Sequence, residues 1–161
     1  MTQQHIISIL AENHVGVLAH VAGMFASRAF NIESIAAGPT HEEGRSRMTI
    51  VVPGDEAVLE QVRKQLAKII DVLKVTDYCG EDVVERDLVL VKVSAPPSKR
   101  GEIFGLTEVF HGKIVDVGAQ DVIIEMSGTK QEVESLLALL RLYKIKDIAR
   151  AGRVAMAREA K

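Results

Sequence analysis

The sequence predicts an α+β protein made of two consecutive domains, each with strands and helices in the order βαββαβ. Short β-rich runs alternate along the chain with stretches whose apolar residues recur at helical spacing. The order of these segments in the first half is repeated in the second half. Because helices in such an order cover one face of an antiparallel sheet, we expect two tandem ferredoxin-like sandwiches, at residues 1–79 and 83–161.

The first predicted domain begins with an apolar run and ends before an acidic connector, Gly80-Glu81-Asp82. Its second helix is expected to begin at Asp55, because aspartate is a good N-cap residue. The predicted elements are a strand at 5–10, a helix at 17–30, strands at 31–37 and 47–52, a helix at 55–70 and a strand at 72–78.

The second predicted domain repeats this order after the connector. Pro96-Pro97 must end the regular structure of the preceding strand, and the helix predicted after it has a less clear apolar pattern. Thr129 is predicted to cap a helix with a clearer apolar face. The predicted elements are a strand at 87–94, a helix at 100–110, strands at 113–117 and 122–126 joined by a turn at 118–121, a helix from 129 and a strand at 145–148. We expect residues 150–161 to form a polar, frayed extension.

Composition narrows the class of protein. The 161 residues are 47% hydrophobic, which is enough to bury a core. The 20 Lys and Arg residues against 22 Asp and Glu give a formal charge of -2, which provides no basic field for nucleic acid. With a single cysteine, Cys79, and no apolar run of membrane-spanning length, we expect a cytoplasmic protein without membrane contact, in which Cys79 is a partly buried spectator.

The most informative segment is Glu12-Asn13-His14-Val15-Gly16-Val17-Leu18, which links the first strand to the first helix. Gly16 is predicted to lie where the helix begins, where free backbone N–H groups and the helix dipole favour a carboxylate or phosphate. Asn13, and Asn31 at the start of the next predicted strand, each offer an amide that suits an α-amino acid. The alternative is that Asn13 is a turn or cap residue and Gly16 only permits the turn.

The first half resembles the ACT domain, a βαββαβ module that binds amino acids. Nearly the whole chain resembles, more specifically, the small regulatory subunit of acetolactate synthase, also called acetohydroxyacid synthase. The matching segments of the first half are Leu10-Ala11-Glu12-Asn13, Gly16-Val17-Leu18, Phe30-Asn31-Ile32-Glu33-Ser34, Ser46-Arg47-Met48-Thr49-Ile50 and Asp71-Val72-Leu73-Lys74-Val75. Those of the second half are Glu85-Arg86, Leu90-Val91-Lys92 and Ile114-Val115-Asp116-Val117.

This resemblance implies a non-catalytic subunit in branched-chain amino-acid (valine, leucine, isoleucine) biosynthesis. Such a subunit activates a catalytic large subunit and confers feedback inhibition by valine. Thiamine diphosphate, magnesium and FAD are expected in the large subunit and not in this chain. The alternative function is that of a free-standing ACT-type amino-acid sensor that regulates another enzyme or a transcription factor.

The resemblance also places the effector between the ACT domains of a homodimer. Amides of Asn13, Gly16, Val17 and Leu18 in one protomer are then expected to hold the carboxylate. In the other protomer, Asn31 is expected to supply a polar contact to the effector and Ile32 an apolar wall. Weaker candidates for the site are Ser8, Ser34 and Gly23, although Gly23 is equally explained by tight packing on its own sheet.

No catalytic or metal-binding group can be assembled from the residue pattern. Glu12 and Glu33 form a conceivable acid–base pair, but no nucleophile or metal motif accompanies them. The five histidines are scattered and are predicted to be surface residues. His14 lies beside the turn and is expected to face solvent, with contact to the effector as the alternative. Arg45 is assigned to a solvated loop and Arg47 to an interface with a partner subunit. An RNA-binding module is disfavoured because the few aromatic residues lack basic neighbours on strands.

Overall fold

The computed structural model describes residues 3–158, which form two compact units. The first unit comprises the described residues up to Val84 together with those from Arg153 onward, and the second comprises Glu85–Gly152. Each unit contains a four-stranded sheet. The predicted fold class is therefore confirmed, whereas the functional limits at 1–79 and 83–161 stay predictions.

The first unit contains six elements in the order βαββαβ. They are β1 (Gln3–Glu12), α1 (Val17–Ser27), β2 (Ser34–Pro39), β3 (Arg45–Gly54), α2 (Glu56–Leu66) and β4 (Val72–Asp77). Neighbouring strands are antiparallel, and their order across the sheet is β2-β3-β1-β4. Strand β1 is therefore central, and the turn that follows it emerges from the middle of the sheet.

The helices of this unit cover one face of the sheet because their apolar residues recur every three or four positions. Helix α1 buries Val17, Val21 and Phe25 against that face. Asp55 caps α2 by accepting a hydrogen bond from the Val58 N–H at 2.9 Å, as predicted. Burial of alternate strand residues completes the core, which includes Ile7, Ile9, Ala11, Met48, Ile50 and Val52.

The second unit repeats the topology. It is formed by β5 (Val83–Ser94), α3 (Arg100–Val109), β6 (Lys113–Val117), β7 (Asp121–Gly128), α4 (Lys130–Leu140) and β8 (Ile145–Ala157), with a short 3-10 helix at Pro97–Lys99. The first two residues of β5 and the residues of β8 from Arg153 onward belong to the first unit. The order across the sheet is β6-β7-β5-β8. Thr129 forms a capping box with Glu132, which confirms the predicted start of α4.

Two predicted boundaries near the first helix were wrong. Helix α1 ends at Ser27 and not at residue 30, because Ala29 takes a left-handed φ of 57° and the Phe30 N–H returns to the Phe25 carbonyl at 3.0 Å. Strand β2 begins at Ser34, so that Asn31 lies in the connecting loop and not at the start of a strand.

The prediction of a frayed extension was also wrong for the described part of that segment. Strand β8 continues to Ala157, and its residues Arg153 and Ala155 are buried. The Arg153 guanidinium donates to the side-chain oxygen of Gln4 at 2.9 Å, and its backbone N–H donates to the Ser34 hydroxyl at 3.2 Å. Residues 159–161 lie outside the described residues.

Candidate functional site

The turn between β1 and α1 has the geometry that a glycine at its end requires. Gly16 is the N-cap of α1 with φ 94° and ψ −16°, a left-handed conformation that L side chains rarely adopt. A Cβ atom at this position would meet no heavy atom within 4 Å. The glycine is therefore required by backbone conformation, and the space beside it is open to a ligand.

The backbone around Gly16 is anchored on both sides. The Asn13 N–H donates to the Gly44 carbonyl at 2.8 Å, which ties the turn to the start of β3. The His20 N–H donates to the Gly16 carbonyl at 2.9 Å and closes the first turn of the helix. Anchored ends keep the intervening N–H groups in place before a ligand binds, which reduces the ordering cost of binding.

The N-terminus of α1 is open. Gly16 provides no side-chain cap, and the first turn of the helix contains no acidic residue. The Val17 N–H reaches the His14 carbonyl only at 3.4 Å, a weak hydrogen bond. In α2 and α4, by contrast, a side chain caps the first turn and a glutamate lies within it. The positive end of the α1 dipole is therefore available to an anion.

The predicted residues of this turn point in different directions. Val17 is 2% exposed and belongs to the core, so it can contribute only its backbone N–H to a ligand. Leu18 is 50% exposed and directs its side chain outward. Asn13 is also exposed. The chain thus offers two outward side chains and a row of backbone donors around Gly16.

The second predicted segment lies in the loop between α1 and β2. Asn31 is exposed, and within residues 3–158 its side chain makes no hydrogen bond. Ile32 is partly buried and packs against the core of its own unit. The assignment of both residues to an effector site stays a prediction, and Ile32 has only part of its side chain left for it.

Asp71, which sequence reasoning left without a role in the site, anchors the turn. Its buried carboxylate accepts a hydrogen bond from His14 Nε2 at 2.9 Å and another from His20 Nδ1 at 3.0 Å. Its backbone carbonyl accepts from the Glu12 N–H at 2.9 Å. One residue at the end of the α2–β4 connection therefore holds the chain both before and after Gly16.

These contacts shift the ionisation of the cluster. The carbonyl of Val15 and then the carboxylate of Asp71 raise the pKa of His14, because both accept hydrogen bonds from its ring. Hydrogen bonds from His20 and then from His14 lower the pKa of Asp71. The side chain of His14 is 55% exposed, which agrees with the expectation that it faces solvent, but its ring also bonds Asp71, a contact that the sequence did not predict.

Two further expectations about reactive side chains were wrong. His5 is 1% exposed, and its Nε2 lies 3.2 Å from the Gly54 carbonyl, so it is a buried residue of β1 and not a surface one. Cys79 is exposed instead of partly buried.

The weaker candidates are now placed. Ser8 is buried in the sheet, and the Ser34 hydroxyl accepts the Arg153 N–H. Gly23 lies on the exposed face of α1, where a Cβ would meet nothing within 4 Å, so tight packing on its own sheet is not the reason for this glycine. Arg45 is the first residue of β3 and pairs with Glu42, so its assignment to a solvated loop was wrong.

Two surface clefts lie away from this turn. One of about 350 Å³ lies between α2 and β4 and is lined partly by Arg63, Lys64 and Lys74. The other, of about 420 Å³, is lined partly by Lys99, Glu102 and Tyr143.

Within residues 3–158, no group of three or more His, Cys, Asp or Glu side chains is arranged to hold a metal ion. Over the same residues, no helix is both long and apolar enough to cross a membrane.

The fold and the turn define the class of protein. The first unit is an antiparallel βαββαβ sandwich with a glycine-capped helix after its first strand, and residues 7–74 match a family model described as an AHAS small subunit-like ACT domain, so this unit is an ACT-type domain. Residues 86–159 match the model described as the small subunit of acetolactate synthase. The chain belongs to the family of acetolactate synthase small subunits.

Relatives from distant organisms are similar over almost the full chain. A probable acetolactate synthase small subunit of Archaeoglobus fulgidus is 52% identical over 96% of this chain and 97% of its own length. The acetolactate synthase small subunit of Aquifex aeolicus is 46% identical over 98% of this chain and 82% of its own length. The crystal structure of the small subunit from Thermotoga maritima is 42% identical, covers 99% of both chains and superposes with a TM-score of 0.91.

Proposed function

We propose that this chain activates the catalytic large subunit of acetolactate synthase and confers feedback inhibition by valine. The observation that carries the proposal is the match of both halves, at 7–74 and 86–159, to models of the small subunit. A free-standing sensor would need only the first of these domains. Similarity across the second domain therefore favours a subunit that also contacts the enzyme it regulates.

The open N-terminus of α1 supports the choice of an amino-acid effector. An amino acid carries a carboxylate, which the free N–H groups around Gly16 can bind, and an ammonium, which the side-chain oxygen of Asn13 or Asn31 can bind. The exposed side chain of Leu18 offers an apolar surface to a branched aliphatic side chain. Valine has all three of these groups.

The homodimer is supported by the edge of the first sheet. Strand β2 is an edge strand, so one side of its backbone can pair with a second copy. The outward face of α1 consists largely of small residues, namely Ala19, Ala22, Gly23 and Ala26. A second copy docked on β2 and α1 would bring its own loop at Asn31 towards this interface, which couples effector binding to dimer geometry.

The chemistry is assigned to the large subunit. In the described residues the candidate acid–base pair is not formed, since Glu33 is bonded by the Gln4 amide and Glu12 lies opposite Arg45 in the sheet. We propose that thiamine diphosphate, magnesium and FAD bind the large subunit alone. A cytoplasmic location, which fits a biosynthetic enzyme subunit, is part of the same proposal.

The direct test is reconstitution with the large subunit of the same organism. Acetolactate formation from pyruvate is measured for each purified subunit and for the mixture, with and without valine. We expect no turnover by this chain alone, a severalfold rise in the activity of the large subunit, and inhibition of the mixture by valine but not by alanine. Turnover by this chain alone, or no activation at any subunit ratio, would contradict the proposal.

A further inference from the structure

The contacts of Asp71 bracket the turn that contains Gly16. Asp71 bonds Glu12 through its backbone carbonyl, His14 through Oδ1 and His20 through Oδ2. Glu12 and His14 precede the glycine, and His20 follows it by one turn of helix. The geometry of the N–H groups around Gly16 therefore depends on how firmly Asp71 holds these three partners.

His14 can hold its two partners only when it is protonated. Its Nε2 lies 2.9 Å from a carboxylate oxygen of Asp71, and its Nδ1 lies 3.1 Å from the Val15 carbonyl. Both partners are acceptors, whereas a neutral imidazole has a single N–H to donate. The imidazolium satisfies both contacts, and loss of its proton must break one of them.

His20 does not have this requirement. It makes one hydrogen bond in the cluster, from Nδ1 to Asp71 Oδ2 at 3.0 Å, and a neutral ring can donate it. The other charged group that acts on His14 is Glu12, whose negative charge also favours the imidazolium. Arg45, opposite Glu12 on β3, is paired with Glu42. The proton sensitivity of the cluster therefore resides in His14.

We propose that Asp71 is a positioning residue and that His14 is the proton-sensitive part of a latch that orders the turn at 13–18. When His14 is protonated, both of its ring nitrogens donate hydrogen bonds, to Asp71 and to the Val15 carbonyl, and the backbone N–H groups of the turn are ordered. When His14 is neutral, one of these contacts is lost and the turn loosens. The latch itself follows from contacts within this chain. Its consequence, that effector affinity falls as the latch opens, rests on the proposed function.

The direction of the pH dependence follows from the two shifts. The pKa of His14 is raised above its ordinary value of about 6.5, so its stabilisation of the turn is complete at low pH and is lost as the pH rises through the raised pKa. The pKa of Asp71 is lowered, so its stabilisation of the turn is lost only as the pH falls below about 4. Between these limits the latch is closed.

The first experiment measures the latch without any ligand. Amide hydrogen exchange of the full chain is followed from about pH 6 to about pH 8.5, and protection factors are corrected for the intrinsic exchange rate. We expect protection in the turn at 13–18 to fall about three- to tenfold over this range, since one proton changes an equilibrium at most tenfold per pH unit. In His14→Gln, whose amide donates without titrating, the same protection should stay constant within about twofold.

A matched control is His41→Gln, because His41 lies in the loop before β3 and is 90% exposed. This variant should retain the full pH dependence. The ring resonances of His14 in the unaltered chain provide a second measurement that needs no variant, and their titration midpoint should exceed the ordinary value of about 6.5. Equal pH dependence in His14→Gln and the unaltered chain, or a midpoint at or below the ordinary value, would overturn the latch.

The second experiment adds valine and separates this inference from the proposed function. Calorimetry over the same pH range should show the dissociation constant rising by up to tenfold in the unaltered chain and staying flat in His14→Gln. Absence of valine binding at every pH would refute the proposed effector, while the exchange data would still decide whether the latch exists. Valine binding with the same pH profile in both proteins would overturn the coupling between latch and site.

Discussion

The guanidinium of Arg150 on β8 bonds the carboxylate of Asp87 on β5, and Asp87 is only 2% exposed. Arg150 also donates to Glu134 on α4 at 2.7 Å. One side chain thus links two strands and a helix of the second unit. The second carboxylate oxygen of Asp87, Oδ1, is buried without a protein partner, so Arg150 is its main neutralising contact in the described chain.

Replacing Arg150 should therefore destabilise the protein. Arg150→Ala leaves a buried carboxylate without its counter-charge, and we expect a loss of about 2 to 4 kcal/mol, somewhat less than for a fully buried pair because Arg150 is itself 35% exposed. Arg158→Ala is the control, since its pair with Asp82 is exposed and should contribute under about 1 kcal/mol. Urea unfolding measures both, and equal losses would contradict the assigned role of Arg150.

Gly16→Asp should abolish inhibition by valine. The new carboxylate would lie about 4 Å from that of the effector, and such repulsion costs roughly 1 to 4 kcal/mol, or about five- to several-hundredfold in affinity. The left-handed φ of 94° also strains any L residue, by about 1 to 2 kcal/mol of stability. Valine titration of the reconstituted enzyme measures the effect on inhibition.

The strain in Gly16→Asp has a matched control in Gly80→Asp. Gly80 also has a positive φ, 73°, with open space around it, but it lies in the connection between β4 and β5. We expect the two variants to lose similar stability and Gly80→Asp to keep full sensitivity to valine. If Gly16→Asp also remained fully sensitive, the effector carboxylate would not bind at this helix terminus.

Asn31→Ala should weaken valine binding without changing stability. Asn31 is exposed and makes no side-chain hydrogen bond within the described residues, so its truncation removes no hydrogen bond from the folded chain. Loss of a hydrogen bond to the effector should cost about 1 kcal/mol, or about fivefold in the dissociation constant. Calorimetry and thermal unfolding together test this, and a lowered melting temperature with unchanged affinity would assign Asn31 a structural role.

The isolated chain should be a homodimer that binds valine at sites shared between its two ACT domains. Gly23→Arg tests the interface, because Gly23 has open space in the single chain and a long side chain there disturbs only a second copy. Sedimentation should show a dimer for the unaltered chain and a monomer with weakened valine binding for this variant. Gly105→Arg on α3, also in open space, should remain dimeric. Tight valine binding by a monomeric variant would contradict the shared site.

The order of the elements, the caps of α2 and α4, and the position of Gly16 at the start of α1 could all be predicted from the sequence. These features depend on residues close together in the chain: apolar spacing sets the element type, and side chains such as Asp55 and Thr129 bond backbone groups three residues away. Local chemistry is sufficient to read them. The family resemblance likewise depended on contiguous segments, and the comparisons confirmed it.

The residues that support the site from distant parts of the chain became visible only in the folded structure. Asp71 meets His14 across 57 positions of sequence, and Arg153 meets Ser34 across 119. The end of β8 looks polar in sequence because arginine interrupts its small apolar residues, yet pairing in a sheet and packing against another element bury Arg153 and Ala155. Contacts of this kind depend on how strands and helices pack in three dimensions, and no local periodicity encodes them.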